Sequence, residues 1–323
     1  MISHVLATLF SLTMLGEQAV SAPAAPSTES QEEAVRLEDV QVSGRRLETL
    51  ISDFVGEVAA PNRGRGLARW NENVCVGAVN LQPDVAQYLV DRVSQVADDI
   101  GLSAGAPGCT PNLVIVAVSD GPQFARDLTE KHGRALRMGG TGMDRGRAAL
   151  QDFQESDRPV RWWQVSMPVD SESGKRATRI MGECMGQCLD PHKRMGGDVL
   201  SYAPILNTFI ASRITSQVVD NIIRTIVVVD VNQISGMDPA QLADYIAMVS
   251  LAQIDPQADT SGYASILNTF SSQNSATSLT AWDRAYLSGL YDAERSRKNL
   301  RAGTTEITSS IRRAHTQIAN AAD

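Results

Sequence analysis

DVAQYLVDRVSQVADDIGLSAGAPGCTPNLVIVAV, residues 84–118, decides the fold. Its first half predicts a helix over Asp84–Ile100. Val85, Leu89, Val93, Val96, Ala97 and Ile100 recur at helical spacing on one face, and Gly101 ends the helix. Its close, Asn112–Val118 (NLVIVAV), is an unbroken apolar run with the length of one buried strand. The alternation continues outward in both directions. Upstream, Leu37–Ser43 (LEDVQVS) and Val74–Val79 read as strands, and Arg46–Val58 as a helix stopped by Pro61 and Gly64-Arg65-Gly66. Downstream, helices over Gly121–His132 and Arg145–Phe153 flank a glycine-rich bend at 139–142, and a strand follows over Val160–Val169 (VRWWQVSMPV). Order returns at Ile205–Val219, before the strand Thr225–Val231 (TIVVVDV). A helix over Asp238–Gln253 starts on Asp238 as N-cap with Pro239 at the first helical position. A last helix, Thr280–Tyr291, is capped by Thr280 and Asp283, and residues 293–323 read as a weakly helical tail. Hairpin signals are scarce. The expected fold class is α+β, a mixed sheet with packed helices, in a single domain over 37–292.

The N-terminus reads as an export signal. Val5–Leu15 (VLATLFSLTML) carries no charge and is too short for a bilayer, which takes about 20 apolar residues. Ala19-Val20-Ser21-Ala22 supplies the small residues of a cleavage site, so residues 1–22 are a signal peptide, although Met1-Ile2-Ser3-His4 lacks the usual Lys or Arg. Residues 23–36, rich in Pro, Ser and Glu, read as a disordered leader. A periplasmic or secreted location follows. The net charge of −8 argues against nucleic acid as a partner, because that affinity comes mainly from Lys and Arg neutralising phosphates. No cofactor is expected, the kinds of partner left open are an envelope protein or a small ligand, and no stretch of the mature chain is long and apolar enough to span a membrane.

Four cysteines remain after cleavage, and the economical pairing in an oxidising compartment is Cys75–Cys109 with Cys184–Cys188. The first closes a loop of roughly 35 residues, worth on the order of 3–4 kcal/mol. The second lies in a stretch at about 170–200 (SESGKRATRIMGECMGQCLDPHKRMGGD) that lacks any apolar period and reads as a surface insertion. There Cys184, Cys188 and His192 form Cys-x3-Cys-x3-His, ringed by methionines. Sulfur and imidazole ligands of this kind suit copper(I) or zinc, and a local disulfide or free thiols are the alternatives.

Other chemistry is thin. The chain has no H-E-x-x-H, no G-x-S-x-G and no phosphate loop, and the bend GGTGMDRG (139–146) does not follow a predicted strand as a dinucleotide loop would. Arg161-Trp162-Trp163 stands out. Strand alternation sends the two indoles to opposite faces, so one is expected in the core and one exposed as a ligand platform, unless helices cover both. One internal echo, YAPILNTF at 202–209 and YASILNTF at 263–270, has unmatched flanks and is not a solenoid repeat.

Two resemblances follow from longer motifs. SRITSQVVDNIIRTIVVVDV, QLADYIAMVSLAQIDPQADT and LTAWDRAYLSGLY, with RGRGLARW, GCTPN, GMDRG and ESDRPVRWWQVSMPVDS upstream, resemble an uncharacterised family of exported alphaproteobacterial proteins that brings no known activity. The strand followed by Leu242–Leu251 (LADYIAMVSL) is similar to the strand-plus-helix core of zinc metallopeptidases, whose helix reads L-A-H-E-x-G-H. Laid onto it, the ligand histidines fall on Asp244 and Met248 and the catalytic Glu on Tyr245. The resemblance therefore implies a zincin-like layout without its metal ligands. Ser265–Asn268, Leu279-Thr280, Asp283 and Leu290–Asp292 resemble the tail of domains with that layout. A shorter run, Val40–Leu47 (VQVSGRRL), resembles the N-terminal segment of TonB-dependent outer-membrane receptors, but no barrel pattern follows it.

The functional expectation is a non-catalytic, metal-free binding scaffold of the cell envelope. Two alternatives stand beside it. One is a hydrolase in which Asp244, Asp283 and Arg161 converge in a cleft; the other is a metal-handling protein using Cys184, Cys188 and His192.

Overall fold

A computed structural model describes residues 46–62, 65–71, 73–136, 145–175, 179–180, 205–206, 215–271, 276–295 and 299–322. The signal peptide expected at 1–22, the leader expected at 23–36, the strand expected at 37–43, the glycine-rich bend and most of the 170–200 insertion, including Cys184, Cys188 and His192, lie outside these residues. In chain order the elements are α1 (Leu47–Val58), β1 (Arg69–Trp70), β2 (Val76–Val79), α2 (Pro83–Asp99), β3 (Leu113–Val118), α3 (Gly121–Leu136), α4 (Gly146–Glu155) and β4 (Val160–Asp170). They continue with β5 (Arg179–Ile180), β6 (Ile205–Leu206), β7 (Val218–Asp230), α5 (Pro239–Leu251), a 3-10 helix (Ile266–Phe270), α6 (Ala281–Asp292) and α7 (Leu300–Ala322).

The sheet is built around β7. Along one edge β4 pairs antiparallel from Val160↔Val229 to Asp170↔Val218, with a bulge at Val165/Ser166. Because β4 fills that edge, β1 and β3 share the other. Both run parallel to β7, with Arg69 opposite Asn221 and Leu113 opposite Thr225. Beyond β3, β2 is the parallel outer strand. β2, α2 and β3 form the strand–helix–strand crossover that parallel pairing requires. The fold is thus α+β, a mixed sheet with packed helices.

Strand alternation sorts β4 between the two faces. Trp163 and Val165 join Ala125, Leu136, Phe153 and Val228 in a core under α3 and α4. Trp162 and Gln164 point the other way, to α5. Trp162 meets the Tyr245 ring edge-on at 6.3 Å, and the Gln164 amide donates to the Val249, Ser250 and Ala252 carbonyls at the C-terminus of α5.

Four elements differ from their expected form. β7 starts seven residues before Thr225, running through Asp220 and Asn221; arginines satisfy both polar side chains, so the apolar run need not be continuous. The apolar spacing of α5 predicts one core stripe, Leu242, Tyr245, Ile246, Val249 and Leu251, but every residue from Leu242 to Leu251 is buried, because the sheet covers one side and α2 and the 3-10 helix cover others. α3 continues past His132 through a kink at that residue. The weakly helical tail is a 23-residue helix, α7, with Ile307 and Ile311 buried along α6 and α1. Its fragmented apolar spacing hid it, since Thr308 and Ser310 are buried as well.

The α6–α7 crossing turns on one glycine. A β-carbon at Gly289 would stand 2.4 Å from the Ile311 backbone, and a backbone contact cannot rotate away. Gly289→Ala is therefore expected to cost about 1–3 kcal/mol, read as a lower urea midpoint. An unchanged midpoint would mean that α7 is not held against α6.

Cys75 and Cys109 form the expected disulfide, with Cα atoms 6.1 Å apart. It ties the start of β2 to the turn before β3, where the Asn112 side chain also accepts from the Cys75 N–H.

Candidate functional site

Asp244, the residue at the first zincin-ligand position, is 1 % exposed. The capped start at Asp238–Pro239 sets the phase of α5, which turns Asp244 toward α2. The Arg92 guanidinium on α2 grips both oxygens, Nε on Oδ1 at 2.6 Å and Nη2 on Oδ2 at 3.2 Å, and the Leu279 N–H donates to Oδ2 at 2.7 Å. The carboxylate thereby joins α2, α5 and the entry to α6. Tyr245 lies edge-on to Trp162 and Phe270, and burial pushes its phenol well above the ordinary range. Met248 is fully buried. None of the three faces a cleft.

Asp283 is a second joint. It sits at the third residue of α6 in a capping box with Thr280 and also reaches the preceding loop. Its Oδ1 accepts from the Ser265 hydroxyl at 2.6 Å; its Oδ2 accepts from the Ile266 N–H at 2.8 Å and the Thr280 N–H at 2.9 Å. Burial pushes this carboxyl above the usual carboxylate range, against the pull of those donors. The second copy of the ILNTF echo is this 3-10 helix. The first copy carries Pro204 where the second has Ser265, so the one difference falls on a residue that binds Asp283. Apart from residues 205–206, the first copy lies outside the described residues.

Arg161 occupies a third place, near the C-terminal ends of β3 and β7. In open sheets with parallel strands, such ends are where ligands bind. Here the end is closed. The Asp230 carboxylate accepts from the Gly121 N–H at the start of α3, and Arg161 donates to the Phe153, Ser156 and Arg158 carbonyls. A β-carbon at Gly121 would stand 2.9 Å from the Arg161 Nε, so any larger residue there would make the guanidinium shift. Burial lowers the Arg161 pKa. Asp244, Asp283 and Arg161 have separate sets of partners and do not share a cleft.

Both indoles of the tryptophan pair are covered. Trp162 is 6 % and Trp163 4 % exposed, and their N–H groups donate to the Ile254 and Leu136 carbonyls. The alternation is as expected, but helices cover both faces, so neither ring is a platform at the surface.

Arg65, Arg69 and Arg295, none of them a site candidate from the sequence, converge at the opposite end of β7. Arg65 pairs with Asp220 through two nitrogens. Arg295 donates to the Asp220 carbonyl and to the Asn221 and Asn71 side chains. Arg69, opposite Asn221 in register, is 3 % exposed and donates to the Ala293 carbonyl. The signal that could have pointed here is Asp220-Asn221 inside an apolar strand, a pair that needs cations or donors once buried. A separate open groove of about 670 Å³ lies between α1 and α7, lined by Glu48, Asp53, Arg301, Thr304 and Thr308 among others.

His315 on α7 lies edge-on to Trp282 at 5.9 Å, its Nε2 buried without a hydrogen-bond partner, and burial lowers its pKa. An unfolded histidine titrates near about 6.5. Between that value and the lower folded one, the unfolded chain binds the extra proton, so stability is full above about pH 6.5 and is lost as pH falls through the folded pKa. From pH 7.5 to 5.5 the wild type should lose more stability in urea than His315→Gln does. Equal losses would show that burial of His315 does not carry the effect.

Among the described residues, no three of His, Cys, Asp and Glu come together as a metal ion would require, and no helix is long and apolar enough to cross a membrane. No protein-family model, curated protein or solved structure matches the chain.

Proposed function

We propose that this protein is an exported, non-catalytic binding module of the cell envelope, with a zincin-like layout that uses no metal. The observation that carries the reading is the engagement of Asp244. At the position where the metallopeptidase resemblance puts a zinc ligand, both carboxylate oxygens are spent on Arg92 and the Leu279 N–H. A general base needs a free lone pair within reach of a substrate proton, and a metal ligand needs one facing the ion. Asp283 and Arg161, the other candidates for acid–base work, are likewise buried and bonded within the fold. The export signal and the Cys75–Cys109 disulfide fit an oxidising compartment.

The test is metal content by plasma mass spectrometry, with a free-thiol count, on protein purified from the periplasm. The proposal expects no stoichiometric metal and no free thiols. About one zinc per chain together with peptidase activity would overturn it. Stoichiometric copper or zinc lost on changing Cys184, Cys188 and His192 would instead favour a metal-handling role.

A further inference from the structure

We propose that Arg65, Arg69 and Arg295 form a binding site for a small oxyanion, a phosphate or a carboxylate, at the end of the sheet where β1 meets β7. The inference deepens the reading of the protein as a binding module and rests on it.

Three guanidiniums surround one short stretch of β7. Arg65 takes both oxygens of Asp220, the carboxylate in direct contact with the cluster. That leaves two cations for which no ion pair is found among the described residues. Arg295 reaches inward from the surface, donating Nη1 to Asn71 Oδ1 at 3.1 Å and Nη2 to the Asp220 carbonyl and Asn221 Oδ1, each at 2.6 Å. Arg69 lies beneath it. Arg69 is 3 % exposed, its Nη1 donates to the Ala293 carbonyl at 2.7 Å, and its Nε has no partner. The hydroxyl of Tyr286, within electrostatic reach of Arg69, is also buried without a partner.

A buried cation beside a second cation is an expensive arrangement unless something neutralises it. The surroundings of Arg69 register that cost: burial first, then the charge of Arg295, pull its pKa down to about 10, while the tyrosines and the exposed Glu294 resist weakly. The carbonyl of Ala293 ends α6 and carries part of the negative end of a helix dipole, at most about half a charge. It answers Arg69 in part and Arg295 hardly at all. An oxyanion seated on these two arginines would supply the remaining charge and the acceptors for the unused N–H groups. The guanidinium fork matches the paired oxygens of a phosphate or carboxylate. The overall charge of −8 makes the local excess more conspicuous, since nothing in the composition favours clustered cations.

The experiment uses the purified full chain and titrates inorganic phosphate by calorimetry, at constant ionic strength maintained with chloride, with succinate as a second arm. The expected result is saturable, one-to-one binding of at least one of the two anions, weakened ten-fold or more in Arg295→Gln. Arg65→Gln is the second variant should Arg295→Gln fail to fold, as judged by its circular dichroism. Binding of phosphate alone assigns a phosphate source, and of succinate alone a carboxylate source; either supports the site. No saturable heat from either anion, or wild-type affinity in a folded Arg295→Gln, overturns it. The metal measurement reads a different part of the molecule, so stoichiometric zinc would sink the binding-module reading while the anion titration reported separately on the arginines.

Discussion

Asp283→Ala is expected to lower the free energy of unfolding by about 3–5 kcal/mol, while Asp283→Asn costs only about 1 kcal/mol. The difference follows from which atoms need an acceptor. Two fixed backbone donors, the Ile266 and Thr280 N–H groups, converge on Oδ2, and the side chain is fully buried. Alanine leaves both donors without an acceptor and breaks the capping box at the start of α6. Asparagine can place its oxygen where Oδ2 stands. Its amide then faces the Ser265 hydroxyl, which can accept as readily as donate. Urea denaturation of the three proteins measures this directly. Equal losses for alanine and asparagine would mean that the two backbone donors are satisfied in some other way, and that Asp283 is not the joint between the 3-10 helix and α6.

The elements that sequence reading placed well are those with one strong period and a chemical end. α2 carries a single apolar face and a terminal Gly101; α6 begins with Thr280 and Asp283; β3 is an uninterrupted apolar run. The Cys75–Cys109 disulfide is legible from the number and spacing of the cysteines. Less visible was everything that depends on a distant partner. Asp220 and Asn221 interrupt an apolar strand, and only the arrival of Arg65 and Arg295, far away in sequence, lets β7 pass through them. α7 looked weak because Thr308 and Ser310 sit on its buried face, where Thr308 bonds back to the Thr304 carbonyl and Ser310 reaches Asp292. The apolar spacing of α5 shows one core stripe, yet Asp244, Ser250 and Gln253 are buried as well.

The candidate site shows the same division. The residue types picked out by chemistry, Asp244, Asp283 and Arg161, are buried polar groups, but sequence cannot tell a carboxylate facing a cleft from one facing an arginine. Asp244 is decided by Arg92, 152 positions away in the chain. The arginine cluster is not legible in sequence because Arg65 and Arg69, the Asp220-Asn221 pair and Arg295 lie in three separate segments that no local motif joins.

The second large effect concerns Asp244. Its carboxylate is 1 % exposed and holds a two-pronged pair with a partly exposed arginine, plus a backbone donor. Removing it leaves the inner face of Arg92 and the Leu279 N–H unanswered, so Asp244→Ala should cost about 3–5 kcal/mol. Arg92→Ala should cost less than that only if water reaches the buried carboxylate left behind, and the two losses should not add. The most direct test of whether Asp244 serves the fold is therefore a double-mutant cycle of Asp244→Ala and Arg92→Ala, measured by urea denaturation. The expected result is a coupling of about 1–3 kcal/mol between the two residues. Additive losses, with Asp244→Ala close to wild-type stability, would contradict the account and return Asp244 to the list of groups free for chemistry.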